Sequence, residues 1–151
     1  SVAKYTLKAA VSPPDQTRVR LLLGGAGKVT DRLRRAVDED SAVFARYWQS
    51  REEEDLWGAI DVPMSIAGDC LELGAMALEL WETGFRNARG ESAAAALAAL
   101  AAAEAALYAA RLNLKLSKDS GRAALKIEAV RARVRQLRTF RERIEETILS
   151  L

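Results

Sequence analysis

An alanine-rich segment constrains the fold of this chain more than any other feature. It runs ESAAAALAALAAAEAALYAARLNL from residue 91 to residue 114. Alanine and leucine are strong helix formers, and the segment lacks the β-branched alternation of a strand, so it predicts one long helix. A helix with so few large side chains buries its surface only where its neighbours approach closely. Asn113 lies on this small-residue face, which makes it a candidate for ligand binding.

The composition predicts a single all-α domain over residues 1–151. Half of the residues are hydrophobic, and no segment has the pattern of a strand, so we expect an antiparallel up-and-down helical bundle. The formal net charge is only +2, which gives no electrostatic indication of nucleic-acid or membrane binding. We find no apolar run of the ~20 residues that a bilayer-spanning helix needs. A cytoplasmic protein is therefore expected.

The absence of histidine limits the chemistry available to the chain. It excludes Ser-His and Cys-His nucleophilic catalysis and histidine-ligated metal sites. Acid–base chemistry would then depend on carboxylates, lysine or tyrosine. Cys70 is the single cysteine, and its apolar neighbours predict a buried, unreactive thiol.

Prolines, glycines and polar turns divide the chain into predicted helices. The expected segments are 1–11, ended by Ser12-Pro13-Pro14; 15–23 and 30–50, joined or interrupted at Gly24-Gly25-Ala26-Gly27; 52–60; 63–81, opened by Pro63; 92–116; and a last helix that follows Gly121 and ends at Leu149. The glycine segment lacks the spacing of a phosphate-binding loop. We expect a flexible joint there, with a backbone-amide nest for an anion as the alternative.

The last predicted helix carries an apolar seam with three-four spacing, which is typical of a coiled coil. It consists of Ile127, Val130, Val134, Leu137, Ile144, Ile148 and Leu151. Packing within the bundle and pairing across a homodimer interface both explain it. Together with the alanine face, the seam predicts a homodimer, because a monomer of this size would leave much apolar surface exposed.

Asp40 is the carboxylate best placed for catalysis. It lies in the middle of a stripe with four-three spacing, whereas Asp38 and Glu39 point elsewhere. The apolar members of that stripe are Leu33, Val37, Phe44 and Tyr47. Burying a carboxylate is costly unless it is paired, hydrogen-bonded or protonated, and those conditions also tune an acid or base. The alternative is a structural carboxylate bonded to an arginine or a helix terminus.

A further stripe places Glu104 and Arg111 two helical turns apart among leucines. A structural ion-pair network involving both is expected, with substrate contacts as the alternative.

Four short motifs occur in order between Val37 and Asp119. They are Val37-Asp38-Glu39-Asp40 followed by Phe44, Ala59-Ile60-Asp61-Val62-Pro63-Met64, Gly84 with Asn87-Ala88, and Asn113-Leu114. They resemble the Asp-x-Asp helix, the Glu-Val-Pro-Leu element, the Gly-Asn-x-Asn-Ala turn and the Asn-Leu helix end of the cyclodeaminase/cyclohydrolase proteins. This family includes formiminotransferase-cyclodeaminase and methenyltetrahydrofolate cyclohydrolases. Ser1-Val2-Ala3 resembles only the tail of its Pro-Gly-Gly-Gly-Ser loop.

The resemblance implies an all-helical homodimer that binds a folate near the subunit interface. Such proteins open or close the five-membered one-carbon ring of the folate and need no metal ion or other cofactor. It also implies that Asp40 is the general acid/base and that Ser1, Asn87 and Asn113 bind substrate. The cyclodeaminase and cyclohydrolase reactions both stay open. The alternative is a non-catalytic folate-binding or structural homodimer with the same fold.

Overall fold

The computed structural model describes residues 13–149, and four long helices make up most of this range. They are α1 (Pro13–Ser50), α2 (Glu53–Thr83), α3 (Arg89–Leu114) and α4 (Ser120–Ile144). A 3₁₀ turn, Arg86–Ala88, joins α2 to α3, and a π-helical turn, Glu145–Leu149, continues α4. No strand occurs between residues 13 and 149, which confirms the predicted all-α class. The predicted helix 1–11 lies outside the described residues.

The helices run up and down around α2, as predicted. Side-chain contacts fix each direction: Arg18 of α1 pairs with Glu79 near the end of α2, and Asn113 near the end of α3 bonds to Ala59 near the start of α2. The last helix, α4, packs against α2 and α3. The main core lies between these three helices and contains Ala67, Leu78, Ala96, Leu100, Ala103, Leu107, Leu137, Phe140 and Ile144.

Opposite charges on the helices specify which of them lie beside α2. Along its length α2 carries eight acidic residues and no basic one, whereas α4 carries eight basic and two acidic residues. Arg32 of α1 contacts Asp69 and Glu72 at 2.8 and 2.5 Å, and Lys126 of α4 pairs with Asp61. Exposed pairs of this kind each stabilise the fold by less than about 1 kcal/mol, but they favour one arrangement of helices over others.

The glycine segment of α1 does not interrupt the helix, so the predicted joint and the alternative amide nest are both wrong. Val19 and Val29 are fully buried on either side of it and hold the helix in register. Gly25 also faces α2 closely, since a Cβ atom there would lie 2.9 Å from Cε of Met76. Tertiary packing on both sides therefore overrides the low helix propensity of glycine.

Three residues of the α4 seam, Val130, Leu137 and Ile144, are buried within the bundle. Gly74 of α2 allows this close approach, because a Cβ atom there would lie 2.8 Å from Cε1 of Phe140. Packing within the bundle is confirmed for these three residues. Ile127, which is 39% exposed, is the most accessible aliphatic side chain of the seam among those described.

One prediction about apolar runs needs correction. The segment Arg86–Leu114 is long and apolar enough to cross a membrane by length and composition, with a mean hydropathy of 1.7 over its most apolar part. Core helices of soluble proteins pass the same test. Here 33% of the most apolar part is buried in the described structure, including Ala96, Ala103 and Leu107. Glu91, Glu104 and Arg111 divide the segment in the sequence, so it does not form an uninterrupted apolar run.

Candidate functional site

Pro63 lies inside α2 and does not open a new helix, contrary to the prediction. A proline has no backbone N–H, so the carbonyl oxygen four residues earlier, on Ala59, loses its usual helical partner. The side chain of Asn113 supplies a substitute: its Nδ2 donates a hydrogen bond to the Ala59 oxygen at 2.7 Å. Helix α2 stays continuous because α3 provides the missing donor.

The bond between Asn113 and Ala59 joins two of the four motifs found in the sequence. The proline of one motif creates an unsatisfied carbonyl, and the asparagine of the other satisfies it. A buried carbonyl without a partner costs about 1–3 kcal/mol, so Asn113 has a structural role whatever else it does. Its Oδ1 makes no hydrogen bond with the described residues.

Asp40 lies on the side of α1 that faces α2, between Ala36 and Val43. Val43 forms a buried cluster with Ala59 and Val62 of α2, and Ala36 packs against it. Burial raises the pKa of the Asp40 carboxyl group above its usual value. Among the described residues Asp40 has no ion pair and no hydrogen-bond partner. The alternative of a structural carboxylate held by an arginine or a helix end has no support in this part of the chain.

The predicted stripe around Asp40 is partly wrong. Val37 and Phe44, expected to be buried beside it, are 59% and 43% exposed. The side of α1 that packs against α2 instead carries Val43 and Tyr47, which are 6% and 8% exposed. Val43 lies next to Gly58, where a Cβ atom would be 3.5 Å from its Cγ1.

An aromatic platform is exposed on α1 one turn beyond Asp40. The rings of Phe44 and Trp48 stack with their centroids 6.2 Å apart, and Trp48 is 56% exposed. Arg51, which has a positive φ of 59° just after the helix end, places its guanidinium 3.5 Å from the centre of the Trp48 ring. The spacing of Asp40, Phe44 and Trp48, four residues apart each time, was a signal in the sequence for this second surface.

Asp40 and Asn113 lie beside the same part of α2 but on different neighbouring helices. The cluster next to Asp40 and the hydrogen bond of Asn113 both involve Ala59. A ligand near this turn of α2 can therefore be approached from α1 and from the end of α3.

Asn87 lies at the opposite end of the bundle, exposed in the turn before α3. The 24 residues from Arg89 to Asn113 span about 36 Å at ~1.5 Å per residue. One chain therefore cannot bring Asn87 and Asn113 to the same small ligand. Ser1, the remaining predicted binding residue, lies outside the described residues.

Two other predictions have definite outcomes. Glu104 pairs with Arg141 of α4, so the predicted structural ion pair is confirmed for Glu104, whereas Arg111 forms no ion pair with the described residues. Cys70 is buried, and burial raises the pKa of its thiol, which agrees with an unreactive side chain. Between residues 13 and 149 no group of three or more Cys, Asp or Glu side chains is placed to hold a metal ion. The expectation that no cofactor is needed stays a prediction.

Comparison with known proteins decides the family. The model of the formiminotransferase-cyclodeaminase family matches residues 1–132 of the chain. The chain belongs to the formiminotransferase-cyclodeaminase family. The resemblance found in the sequence motifs is thereby confirmed, and it places the chain among proteins of folate one-carbon metabolism.

This chain shares its fold with a solved structure. It is the crystal structure of formiminotetrahydrofolate cyclodeaminase from Thermotoga maritima, which aligns with a TM-score of 0.81 over 99% of this chain and 78% of that chain. Sequence identity between the two is 18%, so the match shows the shared fold. No curated protein is significantly similar to the chain in sequence.

Proposed function

We propose that this protein opens or closes the one-carbon ring of a tetrahydrofolate derivative, with Asp40 as the general acid/base. The observation that carries the proposal is the state of Asp40: partly buried, without a partner among the described residues, and with a raised pKa. Burial that favours the protonated carboxyl group acts in the direction expected of a side chain that donates as well as accepts a proton. The family membership of the chain supports the choice of a folate as substrate.

One carboxyl group is sufficient for either reaction of the family. In the cyclodeaminase reaction, N10 of a 5-formimino-tetrahydrofolate whose imino nitrogen is already protonated attacks the formimino carbon. Asp40 accepts the proton from N10 and passes it to that nitrogen, which leaves as ammonia while 5,10-methenyltetrahydrofolate forms. In the cyclohydrolase reaction, water attacks the bridging carbon of 5,10-methenyltetrahydrofolate and gives one proton to Asp40. Asp40 returns this proton to N5 as the bond from the carbon to N5 breaks, and the hydroxyl group on the carbon loses its remaining proton to solvent to give the 10-formyl product.

The surroundings of Asp40 suggest how the substrate is held. A pterin is planar, and stacking on an exposed aromatic pair such as Phe44 and Trp48 contributes about 0.5–1.5 kcal/mol. The free Oδ1 of Asn113 can accept a hydrogen bond from an N–H of the ligand. Ser1 stays a proposed contact for the reacting ring.

We also propose that the active form is a homodimer built on the outer face of α3. Ala94, Ala98, Ala101 and Ala105 are exposed on this face, and Tyr108 farther along is 63% exposed. Small side chains allow two such helices to approach closely. If they pair antiparallel about a two-fold axis, Asn87 of one copy comes beside the Asn113 end of the other, which would complete a site that one chain leaves divided.

The test of the proposed activity is the absorbance of methenyltetrahydrofolate during incubation with the purified protein. Turnover above the buffer rate, lost in Asp40→Asn and kept in Glu39→Gln, is the expected result. Glu39 is exposed, so its substitution controls for a change of charge beside Asp40. Folate binding without turnover in the unaltered protein would instead favour the non-catalytic homodimer.

Light scattering tests the dimer separately. Ala101→Arg places a charge on the outer face of α3 and is expected to give a monomer, whereas Ala124→Arg, on the exposed side of α4, is expected to leave a dimer. A monomeric unaltered protein at micromolar concentration would refute the proposed assembly.

A further inference from the structure

A groove between the end of α3 and the first half of α4 has no role in the proposed reaction. Its volume is about 730 Å³, and its floor is apolar, formed by Leu114, Ile127, Val130 and Val134. Five cationic residues line the sides of this groove, and no acidic residue does. These residues are Arg111, Lys115, Arg131, Arg135 and Arg138.

Most of the groove cations have no internal partner. Arg131 bonds to Glu128 three residues earlier on α4. The side chains of the other four make no ion pair and no hydrogen bond with any residue between 13 and 149. This differs from the first turns of α4, where Arg122 pairs with Glu54 at 2.9 Å and Lys126 pairs with Asp61. The end of a helix favours nearby cations, which accounts for Arg111 and Lys115 at the end of α3. It does not account for Arg135 and Arg138.

The floor of the groove has helical spacing and a definite length. Ile127, Val130 and Val134 follow one another at three and four residues, and the distance along α4 from Ile127 to Arg138 is about 16 Å, or three turns. An apolar strip flanked on both sides by cations is complementary to a helix with an apolar stripe flanked by carboxylates. We propose that this groove binds an acidic amphipathic helix of a partner protein.

The surfaces of the chain itself fit the groove less well. The exposed apolar stripe of α1, Val37 with Phe44 and Trp48, has Asp38 and Glu39 beside it but arginines near both of its ends, Arg34, Arg35 and Arg51. A second copy docked through this stripe would therefore bring cations against the groove cations at both ends. The outer face of α3 carries alanines, with exposed Glu91 in its first turn, and Glu104 of the same helix is already paired with Arg141. Single-stranded nucleic acid is also disfavoured, because the groove lacks the aromatic side chains on which bases stack.

The test uses a fluorescein-labelled synthetic peptide of about 14 residues, with leucines at three-four spacing and glutamates on both flanks. Fluorescence anisotropy is measured without folate, so the result is independent of the proposed activity. A peptide of the same composition with scrambled leucines and an oligodeoxythymidylate of equal charge serve as comparison ligands. We expect the designed peptide to bind at least about tenfold more tightly than either, since only it matches both the floor and the charges.

Two pairs of charge reversals locate the binding site. Arg135→Glu with Arg138→Glu is expected to weaken binding at least about tenfold. Arg20→Glu with Lys28→Glu makes the same change in net charge on exposed positions of α1. It is expected to change binding less than about twofold, because charges separated by more than a Debye length are largely screened. Ile127→Ser tests the floor without altering charge and is also expected to weaken binding. Circular dichroism verifies that each variant is folded.

Several results would overturn the proposal. Equal binding of the scrambled peptide or of the oligonucleotide would show that the groove binds anions through its positive charge alone, without specificity for an acidic helix. Displacement of the peptide by methenyltetrahydrofolate would assign the groove to the folate. A dimer that dissociates on the Arg135 and Arg138 reversals would assign it to a second copy. Failure of the designed peptide to bind the unaltered, folded protein would exclude an acidic helix as the ligand of the groove.

Discussion

Two polar side chains lie beside the same part of α2, and they differ in whether they have a hydrogen-bond partner. On the α3 side, Asn113 donates a hydrogen bond to Ala59 at 2.7 Å and replaces the donor that Pro63 lacks. On the α1 side, Asp40 is partly buried with no partner among the described residues, and its pKa is raised by burial. The first group is used by the fold, whereas the second has no such bond. On the proposed function, this difference separates a structural residue from a catalytic one.

The largest expected effect is on turnover. Asp40→Asn keeps the shape of the side chain but removes its ability to transfer a proton, so the rate should fall about 10²- to 10⁴-fold, the usual contribution of a positioned acid or base. Folate binding should change little. Steady-state kinetics of the folded variant provide the measurement, and full activity would remove Asp40 from the mechanism.

The next effect is on stability at the other side of α2. Asn113→Ala leaves the Ala59 carbonyl without a donor and should lower the free energy of unfolding by about 1–3 kcal/mol. Asn87→Ala is the matched control, because Asn87 is exposed at the far end of α3 and its loss should cost no more than about 0.5 kcal/mol. Equal effects of the two substitutions in urea denaturation would mean that the bond to Ala59 does not stabilise the fold.

The sequence predicted the fold class and the position of Asp40, because both depend on helix propensity and on spacing within one helix. It failed at Pro63 and at the glycines of α1, where contacts from another helix decide the outcome. The amide of Asn113 and the side chain of Met76 come from α3 and from α2 respectively. The burial of Val43 rather than Phe44 likewise depends on its packing against Ala59 and Val62 of α2. Such contacts join residues far apart in the chain, so local patterns could not show them.

An intermediate effect on substrate affinity is expected at the aromatic platform. Trp48→Ala removes a stacking surface and should raise KM about 2- to 12-fold with kcat little changed, which corresponds to 0.5–1.5 kcal/mol. Leu125→Ala removes another large side chain, 75% exposed on α4, and should leave KM unaltered. A fall in kcat with unchanged KM for Trp48→Ala would contradict stacking as its role.

The smallest effect concerns the stability cost of Asp40. Since burial raises the pKa of Asp40 in the folded state, the folded protein holds this proton more tightly than the unfolded chain does. The contribution of Asp40 to stability therefore falls as pH rises above the ordinary value of 3.8. Asp40→Asn should be slightly more stable than the unaltered protein at pH 7, and this difference should disappear well below pH 3.8. Asp38→Asn, on the exposed side of the same helix, is the control for urea titrations at both pH values. A loss of stability in Asp40→Asn at pH 7 would indicate a structural carboxylate.

The structural role of Asn113 depends on its supplying the hydrogen bond to Ala59 that Pro63 cannot make. A double-mutant cycle of Pro63→Ala and Asn113→Ala, measured as free energies of unfolding, tests it directly. With alanine at position 63, the backbone N–H can bond to the Ala59 carbonyl, so Asn113→Ala should then cost little, and the coupling between the two substitutions should be about 1–3 kcal/mol. Additive effects, with Asn113→Ala equally costly in both backgrounds, would contradict the account.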